Sequence, residues 1–194
     1  MFKIVDKKVL NPTVTRIDVY APFVAKKAQA GQFVIIRATE DGERIPLTVA
    51  DYDREKGTVT IVFQVIGAGT TIMAGLKEGD AFADFVGPLG CPSEFVNEPI
   101  EELKNKKILF VAGGVGTAPV YPQVKWLHEH GVDVDAIMGC RNKDLLFYID
   151  EMKAVAKNVY VATDDGSYGF HGNGCAQLEA LYAEGKTYDH CVAI

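Results

Sequence analysis

The sequence predicts two domains of different class, a small antiparallel barrel or sandwich followed by a doubly wound parallel α/β sheet. In the first half, short alternating segments recur between turn signals at the spacing of an all-β module. In the second half the pattern becomes strand, helix, strand, helix, which is the signature of a parallel sheet with helices on its faces. The length of 194 residues allows one large domain or two small ones, each with a core of its own. The boundary is expected near residues 98 to 105, giving domains 1–100 and 101–194.

The N-terminal segment MFKIVDKKVL alternates apolar and charged residues like a strand, without the continuous apolar region and cleavage pattern of a secretory signal. Thr15, Ile17 and Val19 alternate with Arg16 and Asp18, and Val59, Ile61, Phe63 and Val65 repeat the period of two. Phe33 to Ala38 and Ala81 to Val86 are further short strands, and Ala30-Gly31, Asp41-Gly42, Lys56-Gly57 and Glu78-Gly79 are the turns between segments. One short helix is expected after the glycines Gly67 and Gly69, with Thr70 as its N-cap and Ile72, Met73 and Leu76 as its buried face. Gly87-Pro88-Leu89-Gly90-Cys91-Pro92 breaks regular structure, and Pro99 to Lys107 is a charged, exposed connection.

Beyond it, Lys107 to Ala112 is a strand, Thr117 to His130 a helix, and Val132 to Met138 a strand. Leu145, Leu146, Ile149 and Met152 mark a helical face, Asn158 to Thr163 the next strand, and Leu178, Leu181 and Tyr182 a helix that stops at Gly185. Asp189 to Ile194 reads as a buried strand. Such sheets bind ligands at the C-terminal ends of their strands, so a chain stopping there is expected to be truncated, a fragment of something longer.

Composition excludes several function classes. A net charge of −6 with no basic run beyond two or three residues argues against nucleic acid as a partner. No apolar run approaches the roughly 18 to 20 residues of a membrane span, so a cytoplasmic location is expected. Cys91, Cys140, Cys175 and Cys191 are widely spaced, with no CxxC pair for zinc, an iron–sulfur cluster or a redox dithiol, and reduced thiols are expected. His128, His130, His171 and His190 lack neighbours at ligand spacing, so no metal site is legible.

The clearest chemical motif is Val111-Ala112-Gly113-Gly114-Val115-Gly116-Thr117-Ala118-Pro119, a strand running through glycines into a helix. Small residues there let backbone N–H groups approach a pyrophosphate, and the helix N-terminus adds partial positive charge. Pro119 stands where the ordinary dinucleotide fingerprint wants its third glycine, at a first-turn position that tolerates proline. A tight turn without ligand, or a loop for another ligand such as S-adenosylmethionine, fits the same residues. Arg44-Ile45-Pro46-Leu47-Thr48 is weak alone but is followed by Gly67-Ala68-Gly69-Thr70-Thr71, a second glycine loop opening a helix. Two phosphate cradles point to two nucleotides.

On these motifs, with Gly87-Pro88-Leu89-Gly90, Gly139-Cys140-Arg141 and Thr163-Asp164-Asp165-Gly166-Ser167-Tyr168-Gly169, the chain resembles the ferredoxin-NADP reductase superfamily over essentially its whole length. Within it, the chain is similar to the FAD-binding subunits of NADH-dependent ferredoxin:NADP oxidoreductase, sulfide dehydrogenase and the dihydroorotate dehydrogenase electron-transfer subunit. The resemblance implies a Greek-key FAD-binding barrel followed by an NAD-binding α/β domain. It places Pro46, Leu47 and Thr48 beside the isoalloxazine ring, with Thr48 hydrogen-bonding near flavin N5 as the one catalytic candidate. Val62, Phe63 and Gln64 match the flavin-lining strand, and Gly69, Thr70 and Thr71 match the FAD pyrophosphate loop. Many relatives carry Arg-x-Tyr-Ser, and aligning Thr48 with that serine puts Ile45 at the arginine position, which makes the diphosphate role of Arg44 less secure.

For the second nucleotide, Gly114, Gly116, Thr117, Ala118 and Pro119 match the pyrophosphate loop, and Cys140 with Arg141 match the loop after the second strand. Asp164 and Asp165 stand where NADP-using relatives place Ser and Arg, and a carboxylate there would repel a 2′-phosphate, which implies NADH over NADPH. The implied chemistry is hydride transfer from nicotinamide C4 to flavin N5 at the domain interface, with electrons leaving to a larger catalytic oxidoreductase subunit, to ferredoxin or to another iron–sulfur carrier. Full-length relatives of this type add a [2Fe-2S] segment past a strand like Asp189 to Ile194, and this sequence stops before one. A non-catalytic nucleotide-binding or assembly subunit, and a glycine-loop transferase behind an unrelated barrel, are the alternative readings.

Overall fold

A computed structural model describes residues 2–194, and the chain divides into two compact units, Met1–Val96 and Asn97–Ile194. In the first unit, β1 (Phe2–Asn11), β2 (Val14–Tyr20), β3 (Phe33–Arg37), β4 (Arg44–Asp53), β5 (Thr58–Gln64), β6 (Ala81–Phe82) and β7 (Asp84–Leu89) form one sheet in the order β6-β1-β2-β5-β4-β3-β7. Every pair in it is antiparallel. β6 and β7 are neighbours in sequence yet stand at opposite ends of the strand order, so the sheet curls round into a nearly closed antiparallel barrel.

Side chains alternate as the period of two requires. Ile17 and Val19 of β2 point inward with Val59, Ile61 and Phe63 of β5, and Met73, Phe82 and Phe85 complete the core. β5 is the central strand of the order, and burial there is continuous from Val59 to Phe63. Turns follow from the residues that close them. The Asn11 side chain accepts from the N–H groups of Thr13 and Val14, both at 2.9 Å, and Asp53 does the same for Glu55 and Lys56. Two short helices complete the unit, α1 (Pro22–Lys27), with proline in its first turn, and α2 (Ala68–Gly75).

Three local expectations change here. The segment expected as a single strand from Ala81 to Val86 is broken at Ala83 into β6 and β7, and β7 runs on through Gly87 and Pro88, which were expected to end it. Proline is tolerated because β7 is the outermost strand beside β3, and the ladder already slips between Phe33 and Ile35. The N-cap of α2 is Gly67, and Thr70 sits three residues inside, where its hydroxyl accepts from the N–H groups of Ile66 and Gly67 at 3.1 Å each. Ile72, expected on the buried face, is exposed, while Met73 is fully buried.

The second unit holds α3 (Ile100–Leu103), β8 (Ile108–Gly113), α4 (Thr117–Glu129), β9 (Val134–Cys140), α5 (Ile149–Val155), β10 (Asn158–Thr163), β11 (Phe170–His171), α6 (Gly174–Ala183) and β12 (His190–Ala193). Its five strands are all parallel, in the order β11-β10-β9-β8-β12. The chain steps outward from β8 through β9 to β10, then returns across β8 to lay down β12 on the other side. That reversal is the switch point of a doubly wound sheet, and sheets of this kind bind ligands there, beyond the C-terminal ends of the strands.

In this unit the helical face expected from Leu145 to Met152 is interrupted. A 3-10 turn spans Lys143–Leu145, and α5 begins only after Tyr148, whose φ of 60° is left-handed and stops any helix from running through. β12 lies at the sheet edge and is half-exposed, so Cys191, expected in the core, faces outward. At the N-terminal ends of the strands, buried Asp135 accepts from Asn158 Nδ2 at 2.7 Å, the Tyr188 hydroxyl at 2.9 Å and Lys186 Nζ at 3.3 Å. No helix of the described residues is long and apolar enough to cross a membrane.

Candidate functional site

The second unit concentrates its candidate residues at one end. Gly114 to Pro119 follow β8, Cys140 and Arg141 close β9, and Asp164 and Asp165 follow β10, so three adjacent parallel strands deliver all of them to the C-terminal edge of the sheet. Gly114 has φ +54°, and a side chain there would meet nothing within 4 Å, so the backbone borders open space. Gly116, Thr117 and Ala118 are buried as the turn passes into α4. α4 has neither a side-chain cap nor an acidic residue in its first turn, which leaves its N-terminal dipole unneutralised by the chain itself.

The Cys140 thiol is half-buried beside this loop. Burial pushes its pKa up, a hydrogen bond from the Gly114 N–H pulls it down, and the Asp164 charge pushes it up again against the nearby Arg141. The loops past β9 and β10 are sewn together. Asp164 N–H donates to the Cys140 carbonyl at 3.0 Å, Asp165 N–H to the Arg141 carbonyl at 3.2 Å, and Lys143 N–H to the Ser167 hydroxyl at 2.9 Å. Thr163, fully buried, closes the β10 loop on itself: its hydroxyl donates to the Tyr168 carbonyl at 2.8 Å and accepts from the Tyr168 N–H at 3.0 Å.

In the barrel the candidates divide by strand. Phe63 belongs to the core and Leu47 packs against it. The β4–β5 ladder begins at Val49 and Ile61; Pro46, Leu47 and Thr48 stand before it on β4, paired with β3, and Val62 and Gln64 stand beyond it on β5, with Val62 buried.

Near the barrel's glycine loop, Arg44 is exposed and pairs with Asp84 at 3.2 Å, a carboxylate it shares with Arg37. Gly69 N–H donates to Glu43 Oε1 at 3.1 Å. Thr70 spends its hydroxyl on the cap, and Thr71 donates to the Gly67 carbonyl at 2.8 Å.

Sequence reasoning passed over Glu43, and it quoted Thr163 and Ser167 within a motif without giving either a role. The Asp-Gly-Ser run at 165–167 carried a turn signal that could have found the last, since an aspartate readily bonds the backbone two residues on. Among the described residues no group of three or more His, Cys, Asp and Glu side chains could hold a metal, and the four cysteines form no disulfide.

A nearly closed antiparallel barrel joined in sequence to a doubly wound sheet, with glycine loops opening helices in both, defines the ferredoxin-NADP reductase fold. The chain aligns with a TM-score of 0.88 and 40% identity to the structure of NADH-dependent reduced ferredoxin-NADP oxidoreductase, covering all of this chain and 67% of that one. It is 43% identical over 192 residues to the dihydroorotate dehydrogenase B (NAD(+)) electron transfer subunit homolog of Thermotoga maritima, covering 99% of this chain. It is 32% identical over 191 residues to the dihydroorotate dehydrogenase B electron transfer subunit of Enterococcus faecalis, covering 97% of this chain and 70% of that protein. The chain belongs to the family of these electron transfer subunits. It spans 66% and 65% of the length of two curated relatives that it matches over nearly all of its own. No family model matches it.

Proposed function

We propose that this chain is the dinucleotide-handling part of an electron-transfer flavoprotein, with FAD on the barrel (residues 1–100), NADH on the α/β domain (residues 101–194), and hydride transfer between them. The observation that carries it is the convergence of Gly114–Pro119, Cys140–Arg141 and Asp164–Asp165 on one end of the parallel sheet, beside a glycine backbone that faces open space. Membership in a family of electron transfer subunits supports the redox role.

The residues present fit both groups. For FAD, Pro46 and Thr48 of β4 and Gln64 of β5 are at least partly exposed and offer a hydroxyl and an amide, suited to the polar edge of a flat ring, while Val62 of the same strand as Gln64 is buried. When bound, FAD would accept a hydride from NADH at N5 and release electrons singly. Thr48 would hydrogen-bond the ring edge, Pro46 would keep water from its face, and Gly69 with Thr70, Thr71 and Arg44 would flank the diphosphate. For NADH, the backbone N–H groups of Gly114 to Ala118 and the α4 dipole would hold the pyrophosphate. Arg141 would add positive charge there, and the Asp164–Asp165 segment would receive the ribose end.

The electron acceptor is a larger oxidoreductase subunit or an iron–sulfur carrier such as ferredoxin, in the cytoplasm where NADH circulates. The purified protein should take up FAD, turn yellow, and lose its flavin absorbance when NADH is added. A protein that stays colourless in excess FAD sinks the reading, and one that binds both nucleotides without bleaching favours a non-catalytic assembly subunit.

A further inference from the structure

We propose that Glu43 competes with the flavin diphosphate for one backbone donor: its carboxylate holds the Gly69 N–H, and flavin binds only where that contact has opened. This rests on the FAD reading above and adds to it a residue that sets how tightly the barrel takes its cofactor.

The contact joins two parts of the barrel that are distant in sequence. Glu43 stands in the connection between β3 and β4, directly before Arg44, and Gly69 lies in the first turn of α2. The Gly69 N–H donates to Glu43 Oε1 at 3.1 Å. So close an approach depends on glycine, since a Cβ on Gly69 would collide with Glu43 Oε1 and with Ile45 Cδ1. α2 has no acidic residue in its own first turn, so the anion at its N-terminus comes from the β3–β4 connection. The groups around it also bond within the protein. Thr70 accepts from the N–H groups of Ile66 and Gly67, Thr71 donates to the Gly67 carbonyl, and Arg44, next to Glu43 in the chain, pairs with Asp84.

A backbone N–H offers a single proton, so Glu43 and a phosphate oxygen take the Gly69 donor in turn and not together. A carboxylate left in place beside a diphosphate adds like-charge repulsion. Opening the contact is also inexpensive, because Glu43 is exposed and water receives its carboxylate when it leaves. Binding therefore draws on the fraction of molecules in which Glu43 has moved aside, and the apparent affinity is reduced by that fraction. A carboxylate that served only to order α2 would have the opposite effect: its removal would weaken flavin binding.

The purified protein, stripped of flavin, is titrated with FAD to give a dissociation constant from the change in flavin fluorescence, and its urea denaturation midpoint is read without FAD. Glu43→Gln should tighten FAD binding about three- to tenfold, and Glu43→Ala at least as much, since one hydrogen bond to an exposed charged acceptor is removed. Both variants should lower the midpoint, because α2 loses its anion. Affinity and stability thus move in opposite directions. Asp41→Asn takes one negative charge from the same connection and should change FAD affinity by less than about twofold. If the alanine variant fails to fold, the glutamine variant, which keeps the shape, carries the test. Unchanged or weaker FAD binding in the Glu43 variants, or an equal gain in Asp41→Asn, overturns the proposal. A wild-type protein that takes up no FAD has a different meaning: it removes the FAD reading itself, and the competition with it.

Discussion

Gly169 has φ +70°, and a Cβ on it would collide with the backbone carbonyl of Val161, an atom fixed in the ladder of β10. Neither the conformation nor the space suits any other residue. Gly169→Ala should cost about 2 to 4 kcal/mol and disorder the loop of Asp164 and Asp165, read as a lower denaturation midpoint together with weaker ADP-ribose binding. A variant as stable as the wild-type protein would show that the loop relaxes around the methyl group. At this scale sequence reading locates the segments better than the tasks of their residues. Thr163 to Gly169 is visible as one motif, yet nothing in the string distinguishes an aspartate bonded to its own turn from one left free. Thr70 shows the same limit from the other side: a threonine next to glycines reads as a cap, and it caps from three residues inside the helix because Gly67 already ends the extended chain.

Among elements, the buried carboxylate of Asp135 ties the start of β9 to the start of β10 through Asn158, and to the connection between α6 and β12 through Lys186 and Tyr188. Tyr188→Phe leaves the packing and deletes one bond to a charged acceptor, so it should cost about 1 to 2 kcal/mol in equilibrium unfolding. The pH dependence has a definite sign. Burial first, and then the Asp135 carboxylate, push the Tyr188 pKa well above its ordinary 10.0. The neutral phenol is therefore favoured in the folded state, and the stability it contributes is intact below pH 10 and lost as pH rises further, where the unfolded chain ionises first. Tyr188→Phe should flatten that alkaline decline, and an unchanged slope would put the decline elsewhere. β10 is legible residue for residue because Asn158 to Thr163 is short, β-rich and bounded by polar residues. β11 is not, since two residues paired to β10 carry no periodicity of their own, and the start of α5 is misjudged because only the backbone reveals the left-handed Tyr148.

At the level of the whole molecule, the two units are expected to answer to different ligands. In hydrogen exchange, FAD should slow the amides of 44–48 and 66–71, and NAD+ those of 113–118, 140–143 and 163–169. A nucleotide that protects the other set reverses the assignment. Fold class is legible throughout, because the change from a period of two to alternating strands and helices is a property of long windows. Strand order is not, since the return of β12 across β8 is decided by packing far from either strand in sequence. The same parallel sheet is polarised from end to end: its N-terminal edge carries the Asp135 network, and its C-terminal edge carries the glycine loop, Cys140 and Asp164. The two edges are therefore free to evolve under different pressures. Substitutions at the first should lower how much folded protein a cell accumulates, whereas those at the second can change which coenzyme is used while leaving that abundance untouched.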